Sequence, residues 1–537
     1  MPLEPVNSMN GAGKAGLRWW QTRWFALAAA LAATIPLWLP GVPPLVDLPG
    51  HMGRYRVQVS IGHHPHLAQW YDFSWQLIGN LGVDLLIEPL SRIFGLELGV
   101  KLIILAIPAL TVAGLLWIAR EVHGRVPATA LFALPLAYSY PFQFGFVNFA
   151  LSMALALNLF ALWLRLARLG RLRLRAALFV PLSCLLWLCH TFGWGVLGVL
   201  AFSAELIRQH DGAGGERGLA RRWLQPFIRA GLGCLPLALP MLLMIFWRSG
   251  DHVTGQTADW FNWRAKFSYA TMVLRDRWMA WDIAAATVLY LILFKGVRDD
   301  RIEYSRNLAI SALFLLAVFL LLPRIVFGSA YADMRLIPFV LAVALIAIRP
   351  KRGLSMRGAA AIAALGLAFF LVRLGGTTAS YALYDRSYDR ALAALDHVPA
   401  GSRVVTFVGR TCRDEWAYSR LEHIPAMLLV RRLAYSNDQW SMAGAQLLTT
   451  RYDPAGSFAH DPSQMVTDRQ CSREWWRPIN RALREFPREA FDYVWLLEPP
   501  PFDPALTRGL TPAWRSGPHW LFRVDDRSAT IPPGETA

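Results

Sequence analysis

Apolar runs of about 14–20 residues recur along the first two thirds of this chain, and runs of that length in that number require a membrane bundle. Their lengths and flanking charges place spans near 24–40, 101–119, 126–142, 146–164, 176–190, 193–207, 230–247, 282–294, 307–323, 336–348 and 358–374, about eleven in all. Composition agrees. Hydrophobic residues make up 55% of the 537 and charged residues 17%, against about 25% charged in soluble domains.

The formal net charge of +17 would suggest nucleic acid in a soluble chain. Here the basic residues cluster in short loops between apolar runs, as the positive-inside rule requires. The charge therefore speaks for topology and anionic headgroups, and against nucleic acid as a partner. Lys14, Arg18 and Arg23 precede the first run, and Pro40, Pro43 and Pro44 follow it where a signal peptide would carry small residues for cleavage. The first span is thus expected to remain uncleaved, with residues 1–23 a cytoplasmic tail.

With eleven spans, every dense basic cluster falls on that same side: Arg120 and Arg125, Arg165–Arg175, Arg208–Arg229 (Arg217 among them), Lys295–Arg306, and Arg349–Arg357 (Arg352 among them). The loops at 41–100, 138–148, 248–281 and 324–335, and everything after about 375, then share the outer face, in a bacterium the periplasm or exterior. The loop at 41–100 is far longer than an ordinary connection, which points to function or a subdomain. Its Leu85–Leu98 part, with Glu88, Arg92 and Glu97 among leucines, reads as an interfacial amphipathic helix.

After the last span the composition shifts. Helices are expected at Tyr384–Leu395, Glu415–Val430 and Trp475–Phe486, and strands at Arg403–Val408, Tyr493–Leu497 and Trp520–Val524. The expected fold is a mainly α polytopic membrane domain over 24–374, followed by an extramembrane α/β domain over 375–537. Cys184, Cys189 and Cys234 lie inside spans. Cys412 and Cys471 both lie in the outer domain, where an oxidising compartment favours their pairing.

The densest chemistry is Val46-Asp47-Leu48-Pro49-Gly50-His51-Met52-Gly53-Arg54, just past the outer end of the first span. If Pro49 starts a helix, His51 and Arg54 stand about one turn apart with Asp47 at the cap. An ionised carboxylate at a membrane edge is costly unless paired or facing a wet cavity. Asp47 is therefore either a solvated cap or a working group. The next acids, Asp72, Asp84 and Glu88, are too far along the chain to be assigned to it.

A first span, a long outer loop opening on an acid, about eleven spans and an outer C-terminal domain resemble the GT-C glycosyltransferases. The Asp47-Leu48-Pro49-Gly50-His51 pattern is similar to bacterial members with Asp-x-Pro-x-His, although Leu48 stands where many members carry a second acid. The resemblance implies an inner-membrane enzyme that moves a sugar from a polyprenyl-phosphate carrier to an outer lipid, polysaccharide or protein, with inversion. Asp47 would be the general base, and Arg54 and Arg335 would meet the carrier phosphate, with Arg324 a further candidate. His51 could orient Asp47, touch substrate or cap a turn. His190, at an outer turn, is either a satisfied bundle histidine or a sugar or phosphate contact. Some members of the superfamily use a divalent metal and others none, so no cofactor is assigned.

His63-His64-Pro65-His66 is either a solvated loop or part of a metal site shared with His51 or Asp47, and the loop is favoured because three histidines in four residues, stiffened by Pro65, do not easily converge on one ion. Asp251, His252, Asp259, Trp260, Trp263 and Arg264 mark either an interfacial helix or a gate to a lipid or glycan cavity. Two other functions fit the same composition. A lipid-glycan flippase would show repeated halves and polar spans near the midplane, and neither is visible. A non-catalytic envelope assembly protein would use Asp47 only structurally.

Overall fold

The computed structural model describes residues 17–212, 220–248, 255–351, 355–413, 415–417, 419–442, 446–472 and 474–528. Lys14, Arg217, Asp251, His252 and Arg352 lie outside them, as does most of the N-terminal tail. The chain is a mainly helical, multi-pass membrane protein with a mixed α/β unit at its C-terminal end.

Among the described residues, six helices are long and apolar enough to cross a membrane: Leu96–His123, Val147–Arg168, Leu172–Cys189, Thr191–Gly212, Met279–Arg298 and Met356–His397. A seventh crossing is the pair Arg222–Gly233 and Leu235–Ile245, bent by 44°. The count of eleven is therefore too high by the test of helix length, and the four remaining runs show why. The Arg23–Leu37 and Arg306–Leu321 helices are short and stop near Pro40 and Pro323, since proline cannot continue a helix. The 126–142 run forms an 11-residue 3-10 helix over Ala128–Tyr138 in which every residue is buried. The Ile337–Ala347 helix has 11 residues, all buried but Ala344. Those two segments are apolar because they are packed in protein, and an apolar run of that length signals core as readily as lipid.

Loops expected on one face do gather at one end. Arg18 donates to the Met356 carbonyl at 3.1 Å, Trp20 donates to the Val126 carbonyl at 3.2 Å, and strand Ile302–Tyr304 pairs antiparallel with Ile348–Pro350. At the other end, segments 41–47, 138–146 and 272–282 meet the C-terminal region, while 329–336 packs on Phe144 and Phe146. Arg420 bridges Asp276 at 2.6 Å, Gln143 at 3.2 Å and the Pro44 carbonyl. Arg275 donates to the Trp416 carbonyl at 2.8 Å and to the Tyr140 hydroxyl at 3.0 Å.

The Met356–Leu392 helix runs 37 residues without a break, so the expected boundary at 375 falls within it, and the expected Tyr384–Leu395 helix is its continuation. The C-terminal sheet runs in the order Leu510–Ser516, His519–Val524, Tyr493–Leu497, Arg403–Gly409, Met465–Thr467, Arg477–Pro478, with Tyr435–Ser436 also on Arg403–Gly409. Its middle is parallel and its outer hairpin antiparallel. The central Arg403–Gly409 strand is buried over its five inner residues, as a strand covered on both faces must be. The helix expected over Glu415–Val430 shrinks to Ala426–Arg432. Arg420 and Glu422 are drawn into long-range ion pairs, and such partners override local helix preference. Likewise the Trp475–Phe486 helix spans only Ile479–Glu485, starting after Pro478. Cys412 and Cys471 form a disulfide.

The long first outer loop does not stay with the bundle. Its strand Tyr71–Phe73 pairs with Leu448–Thr450, and Arg56 on its Leu48–Ser60 helix donates to the Val430 carbonyl at 2.9 Å. Val57, Leu67, Trp70 and Tyr71 enter one core with Val405, Phe407, Tyr435 and Phe491. Each large side chain so buried contributes roughly 1.5–3 kcal/mol. The loop and the C-terminal sheet fold as one body, which holds Asp47 against residues nearly four hundred positions away.

Candidate active site

Asp47 is the N-cap of the Leu48–Ser60 helix, with Pro49 in the first turn, although its side chain makes no capping hydrogen bond. Its backbone N–H donates to the Phe144 carbonyl at 3.0 Å, tying it to the tight turn between the Ala128–Tyr138 and Val147–Arg168 helices. That turn comes close because Gly145 adopts φ +97°, and a Cβ there would lie 2.7 Å from the Asp47 nitrogen. The carboxylate is half-buried and uncommitted to the helix.

The charges around Asp47 come from both ends of the chain. Burial pushes its pKa up to about 7; His423 and Arg335 pull it down, and Glu422 and Asp461 push it up. A carboxylate held near neutrality suits proton transfer. Burial works against a charge on His423, but Asp438, Asp461 and Asp47 outweigh it and raise its pKa to about 10. The His423 Nδ1 lies 3.7 Å from the Asp438 Oδ2, an ion pair rather than a hydrogen bond. Asp438 is itself fixed by the Ser436 hydroxyl at 2.6 Å. Trp440 stands between two imidazoles, its ring 5.2 Å from His51 and 4.6 Å from His423. Burial, Arg54 and His423 together lower the His51 pKa well below its ordinary value, so His51 is neutral.

Arg335 precedes the Ile337–Ala347 helix and is nine-tenths buried. Its guanidinium lies 4.1 Å over the Phe146 ring and 5.7 Å from the Phe149 and Phe192 rings. It donates to the Ser329 hydroxyl and the Ala330 carbonyl at 3.2 and 3.3 Å, leaving its buried Nε without an acceptor. Asp333, two residues earlier, is held by Lys266 at 2.9 Å. The carboxylate that Arg335 feels is Asp47. His190 lies near Arg335, its Nδ1 accepting the Phe192 N–H at 3.1 Å and its ring edge-on to Phe149.

The structure thus brings together Asp47, His51, Arg335 and His190. Arg54 points elsewhere: it is buried and ion-paired with Asp84 at 3.0 Å. Asp84 also accepts from Asn148 at 3.0 Å, so this pair locks the Leu48–Ser60 helix to the bundle. Arg324 is paired with Asp259 at 2.5 Å. The His66 ring meets the Leu433 carbonyl at 3.1 Å and packs on Trp70. Among the described residues no three histidine, cysteine or acidic side chains converge as a metal set.

Sequence reasoning missed Glu422, His423, Asp438, Trp440 and Asp461. One signal was there. Ser436-Asn437-Asp438-Gln439 is a fully polar run directly after the Tyr435–Ser436 strand, and all four residues are buried.

No family model matches the chain, and no curated protein does. The chain is similar to the crystal structure of ArnT from Cupriavidus metallidurans in the apo state, at 10% identity over 93% of this chain and 97% of that one, with a TM-score of 0.46.

Proposed function

We propose that the protein transfers a sugar from a polyprenyl-phosphate carrier to an outer-face acceptor. The observation that carries this reading is Arg335, buried on the aromatic wall of Phe146, Phe149 and Phe192, lying close enough to Asp47 for each charge to act on the other. A base and a buried cation stand together at the end of an apolar bundle, where a lipid phosphate would present its sugar.

The acceptor hydroxyl oxygen attacks the anomeric carbon from the side opposite the phosphate, and its proton passes to Asp47. The bond from the anomeric carbon to the phosphate oxygen breaks, its electron pair leaves with the carrier phosphate, and the centre inverts. Arg335 meets the charge growing on that phosphate. A base near pKa 7 is about half ionised at neutral pH and is a stronger proton acceptor than an ordinary aspartate. His423, held cationic by Asp438, keeps Asp47 from drifting higher. Arg54, paired with Asp84, acts as a positioning residue. The reading places this end of the bundle on the periplasmic side of a bacterial inner membrane, where the Cys412–Cys471 disulfide would persist.

The test is Asp47→Asn in purified protein supplied with polyprenyl-phosphate sugars. Turnover should fall by about 10²–10⁴ while carrier binding stays within twofold. Unchanged turnover in that variant would refute Asp47 as base.

A further inference from the structure

At the end of the bundle opposite Asp47, a pocket of about 240 Å³ forms where distant parts of the chain meet. Arg18 and Trp20 reach it from just before the Arg23–Ala32 helix, and Arg125 from the approach to the Ala128–Tyr138 helix. Ile302 and Lys351 come from the paired strands, and Ile362 from the Met356–Leu392 helix.

Three cations line this pocket and no carboxylate does. Arg125 and Lys351 are exposed, and among the described residues their side chains have no hydrogen-bond or ion-pair partner. Arg18 lies 5.2 Å over the Trp20 ring and donates to the Met356 carbonyl at 3.1 Å and to the Met356 sulfur, which neutralises none of its charge. The neighbouring acids are taken: Glu121 by Arg168 at 2.7 Å, Glu303 by Arg349 at 2.9 Å and Asp299 by Arg301 at 3.0 Å. Asp300 is exposed and does not line the pocket. Converging cations with no counter-charge of their own favour an anion with several acceptor oxygens.

The surroundings say where that anion comes from. Trp19 and Trp24, on either side of the segment that enters the pocket, are exposed, as tryptophans at a membrane interface are. Trp24, Leu27 and Leu31 continue as one exposed face of the first helix. Leu365, one turn beyond Ile362, is exposed on the Met356–Leu392 helix. Apolar surface thus runs from the pocket along two helices. A soluble anion would use the cations alone, whereas a lipid uses both the cations and the apolar faces.

We propose that this pocket seats the headgroup of an anionic phospholipid, with its phosphodiester among Arg18, Arg125 and Lys351 and its acyl chains on the exposed faces of the two helices. A phosphatidylethanolamine would bring an ammonium up to three cations, so phosphatidylglycerol is preferred. The site is separate from Arg335 and stands whether or not the protein transfers sugar.

The test is equilibrium binding of dioleoylphosphatidylglycerol and of dioleoylphosphatidylethanolamine to the purified full-length protein in detergent, read by native mass spectrometry as the Kd of the first lipid bound. Phosphatidylglycerol is expected to bind at least tenfold more tightly. Arg125→Gln and Lys351→Gln should each raise its Kd about fivefold, the weight of one juxtamembrane cation on an anionic lipid. Arg173→Gln removes an exposed arginine outside the pocket and should leave the Kd within twofold, as should Arg335→Gln at the candidate active site. Equal affinity for the two lipids, an unchanged Kd in both pocket variants, or an equal loss in Arg173→Gln overturns the proposal. A loss confined to Arg335→Gln overturns it too, as does full displacement of the lipid by millimolar inorganic phosphate, which would make the pocket a site for soluble anions.

Discussion

Lys266 Nζ lies 2.9 Å from Asp333 Oδ2 with both side chains buried, and this pairing occupies the acid two residues from Arg335. Lys266 also donates to the Phe319 and Leu322 carbonyls at 2.8 and 2.7 Å, so its charge is fully engaged. Asp333 therefore does not neutralise Arg335, and Asp47 is the carboxylate whose charge acts on it.

Lys266→Met should strand a buried carboxylate and lower stability by about 3–5 kcal/mol. Adding Asp333→Asn removes that charge and should recover more than half of the loss. Thermal unfolding of the wild type, the single variant and the double variant in detergent measures both effects. Additive losses would show that the two side chains are not coupled.

The pH dependence of transfer carries a signed expectation. Asp47 must be ionised to act as base, so kcat/KM should rise with pH through about 7, well above the limb of an ordinary aspartate. His423→Gln removes a cation beside a carboxylate, which raises the Asp47 pKa and moves the acid limb upward. Asp438→Asn weakens the same cation and should move the limb in the same direction. A limb that stays in place while kcat drops would reduce His423 to a packing role.

Gly50 packs directly against Trp440 and His423 of the C-terminal unit. A Cβ there would run into Trp440 Cζ3 and come within 2.7 Å of its Cη2. Gly50→Ala should cost about 1–3 kcal/mol by overpacking. It should also push Trp440 from between His51 and His423, so that activity falls further than stability does. Gly62→Ala, with nothing within 4 Å of its Cβ, is the matched control and should leave both unchanged. Thermal shift and turnover measured side by side separate the two.

Cys412 and Cys471 close a loop with a sequence separation of 59, joining the segment that carries Glu422 and His423 to the stretch that follows the Met465–Thr467 strand. Removing both with serine should cost about 2–5 kcal/mol. The loss should appear as a lower unfolding temperature that added reductant does not lower further, whereas the wild type should fall on reduction.

The sequence is most readable where a single segment decides its own fate. Leu96–His123 and Val147–Arg168 are long, apolar and flanked by arginines, and they fold as read. The Tyr493–Leu497 strand falls at the expected residues as well. It is least readable where an apolar run has two physical explanations, as for Ala128–Tyr138 and Ile337–Ala347, because hydropathy records distaste for water without saying what replaces it. At the candidate site, Asp47 and His51 declared themselves by position next to a span. The partner of Arg54 did not, because Asp84 reaches it only through the packing of two helices. His423 and Trp440 carry no local signal, since their placement depends on the C-terminal unit closing over the first outer loop.

That closure has a consequence for how the protein comes into being. Gly50 and Gln439, whose hydrogen bond seals the seam, are 389 positions apart in the chain. A ribosome delivers Asp47 among the first segments and His423 and Trp440 near the end. For most of its synthesis the chain holds an acid with no imidazolium to tune it and no Trp440 to cover it. The candidate site therefore has a birth time: a chain cut short before residue 440 would hold Asp47 and His51 without Trp440, and the last hundred or so residues complete what the first fifty begin.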